Sequence, residues 1–152
     1  MDTVTYKGCV YPWHCDHMGH MNVMWYVGKF DEATWNFFDT LTLTATYFRD
    51  TNRGMAAVQQ NIAYRKEAMP GDLVEVRSRL LEATGKAVRF LHEMRLGGGG
   101  DMLATCELTA LHLDRERRKA VTFPEAIQAR LRDMLAARPA TGENSPPETV
   151  PQ

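Results

Sequence analysis

The stretch "WHCDHMGHMN", residues 13–22, gathers three histidines, a cysteine and an aspartate. His14, His17 and His20 recur at every third position. Three chemistries are open to such a cluster. With Cys15 or Asp16, the histidines offer enough donors for a tetrahedral zinc ion. Asp16 can instead act as a general base or nucleophile, with a histidine in support. The third reading is a structural loop, with Asp16 capping a turn. Gly19 and the turn-like "HMGHMN" interrupt any helical face that would align the three histidines. His92 and His112 lie inside strand patterns and supply no distant ligands. The expectation is therefore no bound metal, with a metal-dependent hydrolase on the His cluster as an alternative.

The segment C-terminal to this loop favours acid–base chemistry. Val23, Val27, Phe30, Thr34, Phe37 and Leu41 recur at steps of three or four, and Met24, Ala33 and Phe38 widen the stripe. This spacing predicts a long, largely buried helix from Met21 to about Leu41, with Asn22 or His20 near its start. A helix N-terminus presents unpaired N–H groups and partial positive charge, which can hold a developing oxyanion. Asp16 and the amides near Val23 fit that arrangement, and Gly19 lets the backbone approach closely. There is no G-x-S-x-G elbow and no obvious Ser-His-Asp set. A thioester suits such a minimal site, because a thiol of pKa ~8.5 leaves as thiolate without strong acid help.

The remaining elements must position this loop. Val4, Tyr6 and Val10 alternate in a first strand, ended by Pro12. Residues 42–54 read as irregular. Ala56, Val58, Gln60, Ile62 and Tyr64 then alternate, and Pro70–Asp72 signals a turn. Val74, Val76, Ser78 and Leu80 alternate next, followed by Val88, Phe90, His92, Met94 and Leu96. The four glycines at 97–100 read as a hairpin turn rather than a phosphate loop, since strands flank them and no GKS or GKT is present. A last strand runs from Met102 to about Leu113. Thr122 and Glu125 form a capping box for a second helix lined by Ile127, Leu131, Met134 and Leu135. The order is strand, long helix, four strands, short helix. Without βαβ repeats, that is an α+β fold with a mainly antiparallel sheet.

The 152 residues suit one domain, here residues 1–138, with a Pro-rich flexible tail at 139–152. A net charge of −1 gives no general pull towards nucleic acid or anionic membrane. The odd set Cys9, Cys15 and Cys106 contains no CxxC, so a reducing cytoplasm is the expected home. No run approaches a membrane span, and the N-terminus does not read as a signal peptide.

"DHMGHMNVMWYVGKFDEA", Asp16 to Ala33, resembles the D-x-x-G-H-x-N-x-x-x-Y-x-x-x-F-[DE]-x-A signature of hotdog-fold acyl-CoA thioesterases, the 4-hydroxybenzoyl-CoA thioesterase group being the named relative. "YRKEAMPGDLVEVRSRL" is similar to that family's later strand-turn-strand. The resemblance covers residues 3 to about 123. It implies an antiparallel sheet wrapped around a long central helix. It implies that Asp16 is the catalytic carboxylate and that the Val23 amide polarises the thioester carbonyl. His20 would position water or the thioester, and Asn22 would order the loop or cap the helix. Tyr26 is expected to pack rather than react.

The resemblance further implies a homodimer or homotetramer joined sheet edge to edge, with the site between protomers. Gln59, Gln60 and Asn61 are the polar residues a second subunit would contribute. Coenzyme A is then part of the substrate, and no cofactor is expected. Its phosphates call for basic residues: Arg65 and Lys66 first, then Arg89 or the "DRERRKA" segment with Arg117 and Arg118. Trp13, Trp25, Trp35 and Tyr26 cluster around the motif. They read as packing or pocket walls, or as a cage if the acyl group carries a quaternary ammonium. A non-catalytic acyl-CoA binding protein is the other alternative. Asp16 argues against it, since a carboxylate facing a thioester adds little to binding.

Overall fold

The structure is a computed structural model, and it describes residues 2–138. The expected tail at 139–152 lies outside the described residues. The chain runs β1 (Thr3–Cys9), α1 (Val23–Thr40), α2 (Ala45–Thr51), β2 (Arg53–Tyr64), β3 (Leu73–Ala83), β4 (Ala87–Leu96), β5 (Met102–Asp114), β6 (Lys119–Ala120) and α3 (Glu125–Ala136). The main sheet is antiparallel in the order β1-β3-β4-β5-β2, and β6 pairs with the far end of β5. It curls around α1, which is the hotdog arrangement. Among the described residues no helix is long and apolar enough to cross a membrane.

The alternation of β3 and β4 holds. Val74, Val76, Ser78 and Leu80, with Val88, Phe90, His92 and Met94, are buried. They meet Phe30, Ala33, Phe37 and Phe38 of α1 in one core. Phe37 and Phe90 pack with centroids 5.0 Å apart. Losing one such buried Phe to Ala costs about 3–5 kcal/mol.

Five expectations are corrected. First, a bulge between Val4 and Tyr6 turns Val4 outward and buries Thr5. Second, α1 is not largely buried: Val23, Met24, Val27 and Trp35 are exposed on one side. Third, residues 42–54 hold the short helix α2. Its N-cap Thr44 accepts from the Tyr47 N–H, and Asn52 closes it at φ 52°. Interspersed threonines hid that helix. Fourth, a bulge at Val58 breaks the β2 alternation, so Met55, Ala57 and Gln60 share one cavity wall. Fifth, the Thr122–Glu125 box does not form. Pro124 is the N-cap, and no side chain caps it. Gln128 Nε2 instead donates to the Phe123 carbonyl at 2.8 Å.

One polar chain crosses the core. Thr5 Oγ1 meets Ser78 Oγ at 2.7 Å, Ser78 Oγ meets His92 Nδ1 at 2.5 Å, and His92 Nε2 meets Thr34 Oγ1 at 2.8 Å. Thr34 donates to the Phe30 carbonyl at 2.9 Å. With that hydroxyl proton committed, Thr34 accepts from His92 Nε2–H, and Nδ1 accepts from Ser78. This chain ties β1, β3 and β4 to α1 through a neutral imidazole. Burial pushes the His92 pKa down to about 3.

The unfolded chain protonates His92 below about pH 6.5, while the folded chain refuses that proton until about pH 3. Stability therefore falls as pH drops through this window. Urea unfolding of wild type and His92→Gln across it should show a shallower acid loss in the variant. At neutral pH the variant should be less stable by about 1–3 kcal/mol, through buried hydroxyls left without partners. Parallel acid profiles would assign the loss to other groups.

Candidate active site

Asp16 sits on a tight turn between β1 and α1. Gly19 takes φ 86°, a conformation that disfavours a side chain. The Gly19 N–H reaches the Asp16 carbonyl at 3.0 Å, and the Asp16 N–H reaches the His20 carbonyl at 3.1 Å. The carboxylate is held at both oxygens. Oδ1 accepts from the Met18 N–H at 2.9 Å, and Oδ2 accepts from Asn22 Nδ2 at 3.2 Å.

Asn22 is also the N-cap of α1, its Oδ1 accepting from the Met24 N–H at 2.9 Å. Its own N–H donates to the His14 carbonyl at 2.9 Å. The next amide, Val23, donates to no acceptor among the described residues, and Val23 is exposed. The helix start thus offers a free N–H at its positive end, one residue from the group that orients Asp16.

A second segment clamps the helix start. The Tyr26 hydroxyl donates to the Lys66 carbonyl at 3.1 Å and accepts from the Ala68 N–H at 3.0 Å. The Met21 N–H donates to the Ala68 carbonyl at 2.8 Å. Burial raises the Tyr26 pKa. The residue braces the helix start to the segment after β2. His20 directs Nδ1 to the Met21 carbonyl at 3.3 Å and Nε2 towards Glu67 at 3.5 Å. Glu67 had no signal in the sequence, since only the fold brings it to the loop.

The histidines do not converge. Among the described residues no group of three or more His, Cys, Asp or Glu side chains could hold a metal ion. His14 is buried, its Nδ1 accepts from the Tyr11 N–H at 3.0 Å, and its ring lies 4.5 Å from Trp25. Burial, then the nearby Lys29 charge, lowers its pKa. His17 is exposed.

The other sequence candidates scatter. Gln60 lines a cavity of about 240 Å³ between α1 and the β2–β5 pair, with Val27, Asp31, Trp35 and Met55. Gln59 and Asn61 are exposed on β2. Arg65 is exposed beside the Tyr26 brace, while the Lys66 ammonium pairs with Asp101. Arg89 is engaged by Glu82 and Glu107, which raise its pKa. Arg117 and Arg118 lie on the β5–β6 turn, at the end of β5 opposite to Leu103, the residue that pairs with Arg65. Within one chain, neither Arg89 nor this turn joins Asp16. Trp13 stands exposed on the other side of α1.

The curled sheet around α1 is the hotdog fold shared with solved thioesterases. Residues 10–131 match the thioesterase-like superfamily, and the chain belongs to that family. It is 26% identical to the betainyl-CoA thioesterase of Pseudomonas aeruginosa, over 90% of this chain and 86% of that protein. It is 24% identical to the long-chain acyl-CoA thioesterase FadM of Escherichia coli, over 81% of this chain and 92% of that one. A Staphylococcus aureus protein solved in complex with CoA superimposes with a TM-score of 0.85 at 15% identity, covering 99% of this chain and 98% of that one.

Asn22→Asp keeps a good N-cap but turns a donor to Asp16 into a like charge. The turn that holds Asp16 should then loosen, read as faster amide hydrogen exchange at Met18 and Gly19, with thermal stability little changed. Asn22→Ala should cost about 1 kcal/mol in melting experiments. Unchanged exchange at those amides in Asn22→Asp would mean that the two side chains do not meet.

Proposed function

We propose that this protein is an acyl-CoA thioesterase with Asp16 as its catalytic carboxylate. The observation that carries the reading is the pairing of an oriented carboxylate with the free Val23 N–H, both held by Asn22. The thioester carbonyl oxygen accepts from Val23 N–H at the positive helix end, where charge develops in the transition state. Asp16 either takes a proton from attacking water or attacks the carbonyl itself. The C–S bond breaks, coenzyme A leaves as thiolate and takes up a proton, and water supplies the acid's second oxygen. His20, held near Glu67, positions the water. Three free thiols suit a reducing cytoplasm.

The working unit is a homodimer joined through β2. This strand is a sheet edge on which Val58 and Tyr64 are exposed, and exposed Val27 and Trp35 of α1 share a cavity with its Met55 and Ala57. An uncovered edge next to apolar surface calls for a partner. A twofold axis makes β2 self-pairing antiparallel, so one protomer's Arg53 end lies beside its partner's Tyr64 end. That brings the partner's β5–β6 turn to the Asp16 site. Arg115, Arg117, Arg118 and Lys119 are exposed there, and Asp114 holds the turn through the Glu116 and Arg117 N–H groups and Arg53. These cations, with Arg65, form the phosphate cradle for coenzyme A.

The cavity between α1 and β2 takes the acyl group. Its walls are mostly apolar and aromatic, with Thr34 and Gln60 as neutral polar groups and Asp31 as its one carboxylate. Trp35 and Asp31 suit a cationic acyl group, and the betainyl-CoA thioesterase among the relatives handles one by name.

Free-thiol release from a panel of acyl-CoAs tests these assignments. Asp16→Asn should stay folded and lose at least ~10³-fold in kcat, in keeping with the loss of an essential catalytic group. Near-normal turnover would remove Asp16 from the mechanism. Charge reversal of Arg117 and Arg118 together should raise KM, more steeply at low salt. Mixed dimers of that variant with Asp16→Asn should recover one intact site and a wild-type KM. No recovery would place the cradle within one chain. Asp31→Asn should lower kcat/KM for a betainyl substrate more than for an uncharged acyl group of similar size.

A further inference from the structure

A second cavity, of about 450 Å³, lies on the β1 side of α1, and the thioesterase reading does not use it. It shares only Gly28 with the cavity between α1 and β2. Its lining includes Lys29, which is only 3% exposed. The Lys29 ammonium donates to the Tyr6 hydroxyl at 2.7 Å and stands 4.9 Å from that ring's centroid. Among the described residues no carboxylate pairs with it. A buried ammonium held by one phenol is poorly compensated.

The arrangement is built into the fold. Tyr6 lies across residue 8 because that residue is glycine, and a Cβ there would stand 2.1 Å from the Tyr6 hydroxyl. His14 adds a further donor. Its Nδ1 accepts from the Tyr11 N–H, so the neutral ring carries its proton on Nε2, which meets no acceptor among the described residues. Lys29, Tyr6 and His14 therefore offer donors only, the pattern that receives an oxyanion.

The rest of the cavity has the opposite character. Tyr11 and Trp13 stack in parallel at 4.4 Å, and Trp25 closes against His14. Trp13 is 66% exposed and offers a free face. Glu32 lines the same cavity, exposed, three residues along the helix from Lys29. Aromatic faces with a carboxylate attract a cation. A simple anion would meet Glu32, and a simple cation would meet Lys29. A ligand carrying both charges satisfies each.

We propose that this cavity binds a small zwitterion, its carboxylate on Lys29 and Tyr6 and its alkylated ammonium against Trp13, Trp25 and Glu32. The site is independent of the thioesterase reading, because none of these residues holds the thioester there. The ligand would touch His14, whose carbonyl anchors Asn22, and so reach the loop that carries Asp16.

The test is tryptophan fluorescence in a Trp35→Phe background, where Trp13 and Trp25 are the only reporters. Trimethylglycine is titrated beside acetate and tetramethylammonium as half-ligands. The proposal expects a saturable change with trimethylglycine and at least tenfold weaker responses to either half-ligand. Lys29→Met, Glu32→Gln and Gly8→Ala should each weaken trimethylglycine binding at least tenfold. Glu32→Gln is a surface change that leaves the fold intact, so it serves even if the other two destabilise the chain. Absence of saturation, equal response to a half-ligand, or tighter binding of benzoate would overturn the proposal. So would loss of binding in Asp31→Asn with Glu32→Gln unaffected, which would seat the ligand in the acyl cavity. A protein without thioesterase activity that still binds trimethylglycine would leave this site standing and remove the catalytic reading alone.

Discussion

An 18-residue helix with one sheet to bury itself against sets most of this architecture. Phe30, Phe37 and Phe38 need a concave apolar surface, and a flat sheet cannot supply enough of it. The sheet curls around α1, and its inner rows of Val, Phe, Met and Leu line the concave side. The polar thread through that interior is the chain from Thr5 to Thr34. Its hydrogen bonds run in one direction through a neutral His92, and no side-chain nitrogen or oxygen fully shut off from solvent lacks a partner among the described residues. Such a network fixes the rotation of the helix against the sheet, where apolar packing alone would tolerate small slips.

Fixing the helix also fixes its first turn, and chemistry needs that turn to be placed accurately. An α-helix leaves its first amides without partners. Here the Asn22 side chain takes the Met24 N–H and leaves Val23 free. The same side chain turns its amide nitrogen to Asp16. One residue thereby sets the separation between the Asp16 carboxylate and the free Val23 N–H. The Tyr26 brace to Lys66 and Ala68 adds the second support. It ties the segment that follows β2 to the helix start.

Charge is distributed unevenly over the surface. Most cations on the sheet's outer face are paired, as Arg89 is with Glu82 and Glu107. The β5–β6 turn is different, with four exposed basic residues around one Glu. Lys29 of α1 also lacks a carboxylate partner among the described residues, and it is buried beside an aromatic cavity. Unpaired cations in two such places mark where the molecule can meet anionic groups.

The alternating rows of β3 and β4, the glycine hairpin and the helix after Asn22 were legible in the sequence, because period and turn chemistry are local. So was the grouping of Asp16, Gly19, His20, Asn22 and Val23, which are neighbours along the chain. Local pattern failed where bulges at Val4 and Val58 shifted the alternation, and where threonines masked α2. It failed too for the Thr122 cap, which a proline displaced. The tertiary structure decided everything that joins distant segments. It brought Glu67 to His20 and Tyr26 to Ala68, and it carried Arg117 to the far end of the sheet. It left β2 as an open edge and set Lys29 over Tyr6. The physical reason is that periodicity specifies which face of an element is apolar. It does not specify which other element that face will meet.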